Sequence, residues 1–141
     1  MAGAGHEAES SGDIKQLGLT RGLVIEELGW DDDVDEGLRS AIMDAIDADL
    51  LEECEDAADV VLLWWRSEDG DVVDALVDAL TDLSATGHIW LMTPKYGRKG
   101  HVPQADVAEG AVTAGMTLTS MANVSKDWTA HKVVHAHGSR R

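Results

Sequence analysis

The feature of this sequence that most restricts its fold is an alternation of short apolar runs with longer amphipathic segments. The apolar runs lack helical spacing and are bounded by glycine or charged residues, which is typical of buried strands. Amphipathic segments follow the first two runs, with apolar residues at three- and four-residue spacing that predict helices. The predicted strands lie at roughly 22–28 (GLVIEEL), 58–65 (ADVVLLWW) and 88–93 (HIWLMT), and the helices at 34–46 and 72–83.

The last third of the chain continues this alternation and then changes it. A third helix is predicted to begin near Pro103 and to close at Gly115. Two β-type runs, TLTSMANV and WTAHKVVHA, enclose the turn SKD and predict a hairpin. The order β-α-β-α-β-α-β-β predicts an α/β fold: a three-layer, Rossmann-like sheet of about five strands, mostly parallel, with a C-terminal antiparallel hairpin.

The domain boundaries follow from composition. The chain has 141 residues, the size of one domain, which we place at 14–137. Residues 1–13 are small and polar, and residues 138–141 form a short polar tail, so both ends are predicted to be disordered.

The charge restricts the partners. The formal net charge is −16, and Glu26 to Asp59 holds fifteen acidic residues against one base, Arg39. Such a surface repels nucleic-acid phosphates and anionic membranes, and it suits a protein partner with a basic surface. The chain shows no apolar secretory run, no stretch long enough for a membrane helix, and a single cysteine, Cys54. These features predict a cytoplasmic protein, while the oligomeric state stays open.

Several of these segments resemble a known family. LGLTRGLVIEELG resembles the entry to motif I of class I S-adenosylmethionine-dependent methyltransferases, and ADVVLLWW resembles their fourth strand. LTDLSATGHIWLMTPK resembles their fifth strand with its preceding turn, and the final hairpin resembles strands six and seven. The resemblance covers about residues 17–136. The chain is also identified as a member of an actinobacterial family of uncharacterised proteins, number 3052 in the domain-of-unknown-function series.

The chain departs from the methyltransferase pattern in two places. In that family motif I continues with further glycines, whereas here Gly29 is followed by Trp30, Asp31, Asp32 and Asp33. Only about a dozen residues separate the first helix from the strand at 58, although one βαβ unit takes about thirty. The resemblance therefore implies that the half of the sheet that holds adenosine is missing or reduced to a short edge segment.

Three clusters could have carried metal or acid–base chemistry. The run DDDVDEG has the alternate carboxylates of a calcium loop, but its sixth and twelfth positions are Glu36 and Ile42, so helix capping is the interpretation we favour. His131, His135 and His137 share strand parity, yet no cysteine or carboxylate follows them. The carboxylates at 47–56 are expected to be solvated in a chain this acidic. We therefore predict no metal ligand and no catalytic residue.

Tryptophans and one basic loop mark the edge of the sheet where ligands usually bind. Trp30 follows the first strand, Trp64 and Trp65 end the second, and a basic loop follows the third. The two adjacent tryptophans must face opposite sides of the sheet. Either they fill the cofactor pocket that the methyltransferase resemblance implies, or one ring is exposed. The basic loop is within reach of the acidic loop at 30–35, and mutual salt bridges are expected. The candidate protein-contact residues are Trp30, Trp64, Trp65, Lys95, Tyr96, Arg98 and Lys99.

The sequence thus leaves two functional hypotheses. The favoured one is a non-catalytic acidic binding or regulatory protein, without a cofactor, on a degenerate methyltransferase-like fold. The alternative is a small methyltransferase with an altered pocket, in which S-adenosylmethionine would bind at Gly29, Trp30 and Asp31.

Overall fold

The computed structural model describes residues 14–53 and 56–136. The expectations of disorder for residues 1–13 and 138–141, the environment of Cys54 and the position of His137 lie outside this part of the chain. None of the helices within the described ranges is both long and apolar enough to cross a membrane.

The described residues build one mixed sheet of five strands in the order β1-β2-β3-β5-β4. The first three strands are mutually parallel, and β5 runs antiparallel to both β3 and β4. The strands are β1 (Ile25–Leu28), β2 (Ala58–Trp64), β3 (Leu83–Pro94), β4 (Met116–Ala122) and β5 (Trp128–His135). The predicted α/β sheet with its terminal antiparallel hairpin is confirmed.

Helices cover both faces of the sheet, as predicted. Helix α1 (Glu36–Ile46) lies on one face together with a 3₁₀ turn at Ile14–Leu17. Helices α2 (Val72–Thr81) and α3 (Gln104–Thr113) lie on the other face. The apolar residues form two separate buried clusters, one per face, because side chains alternate along each strand.

Side-chain caps mark the starts of α1 and α2, whereas α3 follows Pro103 without one. The Asp35 carboxylate accepts a hydrogen bond from the Leu38 backbone N–H at 3.0 Å, and Asp71 accepts one from Val73 at 2.9 Å. Each bond satisfies a backbone donor that a first helical turn leaves unpaired. The predicted capping role of the acidic run at 31–35 is therefore met by its last member, Asp35.

The prediction was wrong at the start of the third strand. The helical pattern was expected to reach Leu83 and the strand to begin at His88, but β3 begins at Leu83. Leu83 pairs with Ala58 of β2, and its side chain is buried on the face of α2 and α3. Helix and strand patterns both place Leu83 on the apolar side, so spacing alone could not separate them.

The shortened half of the sheet is reduced to a single bridge. Beyond β1, Leu51 forms one isolated parallel pairing with Glu26. The Glu27 N–H donates to the Leu51 carbonyl at 2.8 Å, and the Leu51 N–H donates to the Ile25 carbonyl at 3.0 Å. The expected short edge segment is thus present, and within residues 14–53 and 56–136 β1 is otherwise the outermost strand on that side.

Candidate functional site at the carboxyl edge of the parallel strands

Gly29 ends β1 at the edge where the three parallel strands terminate. Its φ is +78°, and a Cβ atom there would lie 2.2 Å from the Trp64 carbonyl oxygen of β2. A side chain would therefore need both a left-handed backbone and space that the neighbouring strand occupies. The glycine that resembles the first of motif I is required here by the contact between two strands.

Arg66 lies at the centre of this edge, directly after β2. Its Nε donates to the Asp33 carboxylate at 3.0 Å, and its Nη2 donates to the other oxygen of the same group. Its Nη1 donates to the Gly29 carbonyl at 2.8 Å and to Asp69 at 3.3 Å. The Arg66 side chain is 9% exposed. One guanidinium thus joins the loops that follow β1 and β2.

The same guanidinium also packs on the aromatic core. Its carbon lies 5.2 Å from the ring centroid of Trp128, a distance at which a cation is attracted to an aromatic face. Trp128 in turn donates its Nε1 hydrogen to the Asp33 carbonyl at 3.3 Å. The hydrogen bond from Arg66 is the main reason that the pKa of Asp33 lies below its usual value, although burial acts in the opposite direction. Asp33 is therefore ionised and occupied by a neighbour within the chain.

A second buried ion pair lies beneath this edge. Glu27 of β1 accepts hydrogen bonds from Arg39 Nε and Nη2, both at 2.7 Å, and from Trp64 Nε1 at 2.8 Å. The hydrogen bond to Glu27 is the largest effect on the pKa of Arg39 and raises it, whereas burial lowers it. These charges are satisfied within the protein, so we assign them to structure.

The two adjacent tryptophans face opposite sides of the sheet, as predicted, and both are buried. Trp64 packs edge-to-face on Trp128, with ring centroids 4.9 Å apart, in the cluster beneath α1. Trp65 packs in the cluster beneath α2 and α3. Trp64 is fully buried and Trp65 is 8% exposed, so burial argues against a contact role for either ring, and the prediction that they contact a partner protein stays untested. Their large side chains fill the layers on both faces, so burial favours the pocket-filling interpretation.

The other aromatic candidates are exposed. Trp30 is 52% exposed and Tyr96 is 89% exposed. Trp30 donates its Nε1 hydrogen to Glu36 at 3.2 Å. The structure thus keeps one exposed ring in the acidic loop after β1 and one in the basic loop after β3.

The basic loop does not pair with the acidic loop in the way that the sequence suggested. Lys95 donates to Asn123 at 2.8 Å, and Arg98 lies 3.2 Å from Asp127. The acidic loop pairs instead with Arg66, which follows β2 directly and lies between the two loops. Lys99 is exposed and enters no ion pair among residues 14–53 and 56–136.

A shallow cleft of about 350 Å³ opens at this edge. This volume lies at the lower end of the range for small-molecule sites. It includes all three residues that the alternative hypothesis assigned to cofactor binding. The cleft is lined by Gly29, Trp30, Asp31, Leu63, Trp64, Trp65, Arg66 and Asp69.

The histidines of β5 do not assemble a metal site with neighbouring residues. Within the described ranges, no group of three or more side chains of metal-ligating type comes together. His131 is buried, and its Nε2 lies 2.9 Å from the Thr93 hydroxyl, while His135 Nε2 lies 3.1 Å from the Ser84 carbonyl oxygen. Burial lowers the pKa of His131 to about 4, with a smaller contribution from His101, so the ring is neutral at pH 7.

A loss of stability in mild acid is expected from this buried imidazole. The ordinary pKa of 6.5 applies to the unfolded chain, and the folded pKa is about 4. The folded state therefore binds fewer protons, so the contribution is complete above pH 6.5 and is lost as the pH falls toward 4. Urea midpoints measured between these limits should fall less for His131→Gln than for the natural protein. An equal fall in both would assign the acid sensitivity to other groups.

Sequence reasoning missed Arg66 and Glu27, although each left a signal. Arg66 is a single base immediately after an apolar strand in an acidic chain, and Glu27 lies beside Glu26 within the short predicted strand GLVIEEL. Arg39 was noted only as the one base among fifteen acids. A charged side chain is buried only when it is paired, so each of these three residues could have been proposed as one member of a buried ion pair.

The fold is similar to that of known structures. The structure is similar to that of the O-methyltransferase NcsB1 from neocarzinostatin biosynthesis, in complex with S-adenosyl-L-homocysteine and 1,4-dihydroxy-2-naphthoic acid, with a TM-score of 0.62 and 13% identity. The match covers 90% of this chain but only 52% of NcsB1, so the chain spans about half of that enzyme. A methyltransferase from Aquifex aeolicus gives a TM-score of 0.54 at 11% identity, covering 91% and 93% of the two chains. The chain therefore has a methyltransferase-like fold.

The family follows from the sequence comparison. Residues 14–137 match the model described as "Protein of unknown function (DUF3052)", and the chain belongs to this family. It is 47% identical over 121 residues to the uncharacterized protein Rv2239c of Mycobacterium tuberculosis, covering 85% of this chain and 76% of the relative. The same identity and coverage are found for the uncharacterized protein Mb2263c of Mycobacterium bovis.

Proposed function

We propose that this chain is a non-catalytic binding or regulatory protein on a methyltransferase-like fold. The observation that carries the proposal is the position of Arg66. Its guanidinium is bonded to the Gly29 carbonyl, Asp33 and Asp69 at the strand edge where the family resemblance would place a cofactor. A ligand that used the Gly29 backbone would have to displace these bonds, because the chain's own guanidinium already occupies the Gly29 carbonyl.

The shortened sheet supports the same proposal. In class I methyltransferases the second and third strands build the adenine half of the pocket, whereas here, among the residues that the structure describes, β1 has only the bridge to Leu51 on its outer side. The residues present therefore do not fit the adenosine part of S-adenosylmethionine. We derive no methyl-transfer step from this edge.

The proposed partner is a protein with a basic surface. Exposed carboxylates lie in the last turn of α1, follow this helix and flank the bridge at Leu51, on the side where the sheet is open. An acidic face of this kind raises the association rate of a basic protein and disfavours nucleic acids and anionic membranes. The exposed acids of this face are Asp44, Asp47, Asp49, Glu52, Glu53 and Asp56.

The alternative function is a small methyltransferase with an altered pocket. The cleft of about 350 Å³ at Gly29, Trp30 and Asp31 favours it, since an exposed indole and a carboxylate could contact a sulfonium. In that case Arg66 would have to rotate away from Asp33 when the ligand enters.

Titration with S-adenosylmethionine separates the two functions. If Arg66 blocks the carboxyl edge, calorimetry should show no saturable heat of binding and Trp30 fluorescence should not change. This holds up to about 1 mM ligand, the upper end of ordinary KM values. Trp30→Phe is the control, because it removes the exposed fluorophore and leaves the buried ones. Saturable binding at micromolar ligand would overturn the non-catalytic proposal and favour the alternative.

A partner experiment tests the acidic face itself. The natural protein should retain a basic protein from its own cell extract, and the purified partner should rebind with an affinity that falls as salt rises. Asp49→Asn/Glu52→Gln/Glu53→Gln should weaken that binding. Asp74→Asn/Asp78→Asn, two exposed acids of α2 on the opposite face, should leave it intact. Equal binding by both variants would remove the acidic face from the proposal.

A further inference from the structure

Charge is divided along the carboxyl edge in the order of the strands. The loops at 29–36 and 65–71, which follow β1 and β2, carry eight carboxylates against Arg66 alone. The loop at 95–101 follows β3 and carries Lys95, Arg98 and Lys99 with no acidic residue. One half of the edge is therefore acidic and the adjacent half is basic.

Arg66 lies at the boundary between the two halves. It binds Asp33 on the acidic side. On the basic side it lies so close to the backbone of Gly100 that a Cβ atom added to Gly100 would be 3.0 Å from the Arg66 Cβ. The Ser67 N–H also donates to the Gly100 carbonyl at 2.9 Å. These contacts hold the acidic and basic halves side by side.

Several of these charges have no ion-pair partner among the residues that the structure describes. Asp31, Asp32 and Lys99 are exposed and form no ion pair with any residue that the structure describes. Arg98 meets Asp127 only as an exposed pair, of a kind that contributes about 0–1 kcal/mol. The complementary charges are therefore available to another molecule.

We propose that this edge binds a second copy of the chain around a two-fold axis near Arg66. A two-fold axis places the acidic half of one copy on the basic half of the other, and the reverse, so that both halves are matched at once. Each contact brings Asp31 and Asp32 opposite the basic loop of the partner copy. The chain supplies both complementary surfaces, which is why a second copy is the occupant.

Exposed aromatic rings supply the apolar part of this interface. Trp30 lies beside Asp31 in the acidic loop, and Tyr96 lies beside the cations of the basic loop. Tryptophan and tyrosine are enriched at protein interfaces, and a lysine or arginine is attracted to an indole face. In the dimer each Trp30 would be covered by the partner copy's basic loop.

The net charge of −16 does not prevent this association at ordinary salt. Charges farther apart than the Debye length, about 8 Å at physiological ionic strength, are largely screened, whereas contacting loops are not. At very low salt the overall repulsion grows, and at high salt the loop contacts weaken. Self-association should therefore be strongest near about 0.1 M salt and weaker near about 0.5 M.

Paired charge reversals test the interface on the purified chain by analytical ultracentrifugation. Arg98→Glu/Lys99→Glu and Asp31→Lys/Asp32→Lys should each weaken the dimer at least about tenfold in Kd, since each places like charges face to face. An equal mixture of the two variants should form a heterodimer as tight as the natural dimer. The mixture has the same total charge as the natural pair, so only matched loops can explain the recovery.

The control reverses two acids away from the edge. Asp74→Lys/Asp78→Lys changes the net charge by as much as Asp31→Lys/Asp32→Lys, but on α2, and it should leave the dimer intact or slightly tighter. The proposal is overturned if the natural chain is a monomer at about 100 µM and about 0.1 M salt, or if the mixed variants fail to associate. Neither result depends on whether a basic partner or a cofactor is found.

Discussion

Replacing Gly29 with alanine is expected to destabilise the fold by about 3 kcal/mol or more, the sum of a left-handed backbone and an overpacked contact. The added Cβ would lie 2.2 Å from the Trp64 carbonyl oxygen, so β1 and β2 would have to separate. Separation would also lengthen the bond from Arg66 to the Gly29 carbonyl. Urea denaturation followed by the fluorescence of the buried tryptophans measures the change.

Gly115→Ala is the matched control for this prediction. Gly115 has a similar φ of +83°, but no atom lies within 4 Å of the position where its Cβ would be. Alanine there costs only the backbone strain, about 1–2 kcal/mol. If both substitutions cost the same, the strand contact at Gly29 contributes nothing, and the glycine would be explained by its conformation alone.

Replacing Glu27 with glutamine is expected to cost about 3 kcal/mol, the effect of breaking a buried ion pair. Glu27 accepts three hydrogen bonds, two from Arg39 and one from Trp64. Glutamine turns one acceptor into a donor and leaves Arg39 without its main partner. The free energy of unfolding, measured by urea titration at pH 7, should fall accordingly.

Glu36→Gln is the control, because Glu36 pairs with the same arginine, Arg39, at a solvent-exposed position. Its side chain is 59% exposed, whereas that of Glu27 is 6% exposed. An exposed pair at this spacing contributes about 0.5 kcal/mol, so the control should be nearly neutral. A large effect for Glu36→Gln, or a neutral Glu27→Gln, would show that burial does not set the strength of these pairs.

The strands and helices could be predicted because their signals are local. Apolar spacing located the helical face from Leu38 to Ile46, and the count of residues after it correctly implied that only an edge segment fits before β2. That segment is the bridge at Leu51. Spacing failed at Leu83, where a helix end and a strand start both call for an apolar residue.

The candidate site was predicted less well, because its contacts join residues far apart in sequence. Period-two alternation placed Trp64 and Trp65 on opposite faces, but it could not say that both are buried. Gly29 resembles the first glycine of a cofactor loop, and the structure adds the close approach of the Trp64 carbonyl, which also requires glycine. Arg66 bonds to Asp33 across thirty-three positions, and no local pattern predicts such a pair.

The sequence by itself determined the order of elements, the parallel sheet with its terminal hairpin, and the lack of room for two further strands. These properties depend on side-chain period and on chain length, which are read within single segments. Only the tertiary structure decided which groups fill the carboxyl edge. That outcome depends on which strand ends become neighbours: β1 beside β2 brings Arg66 onto Gly29 and Asp33, and β3 beside β2 puts a basic loop next to an acidic one.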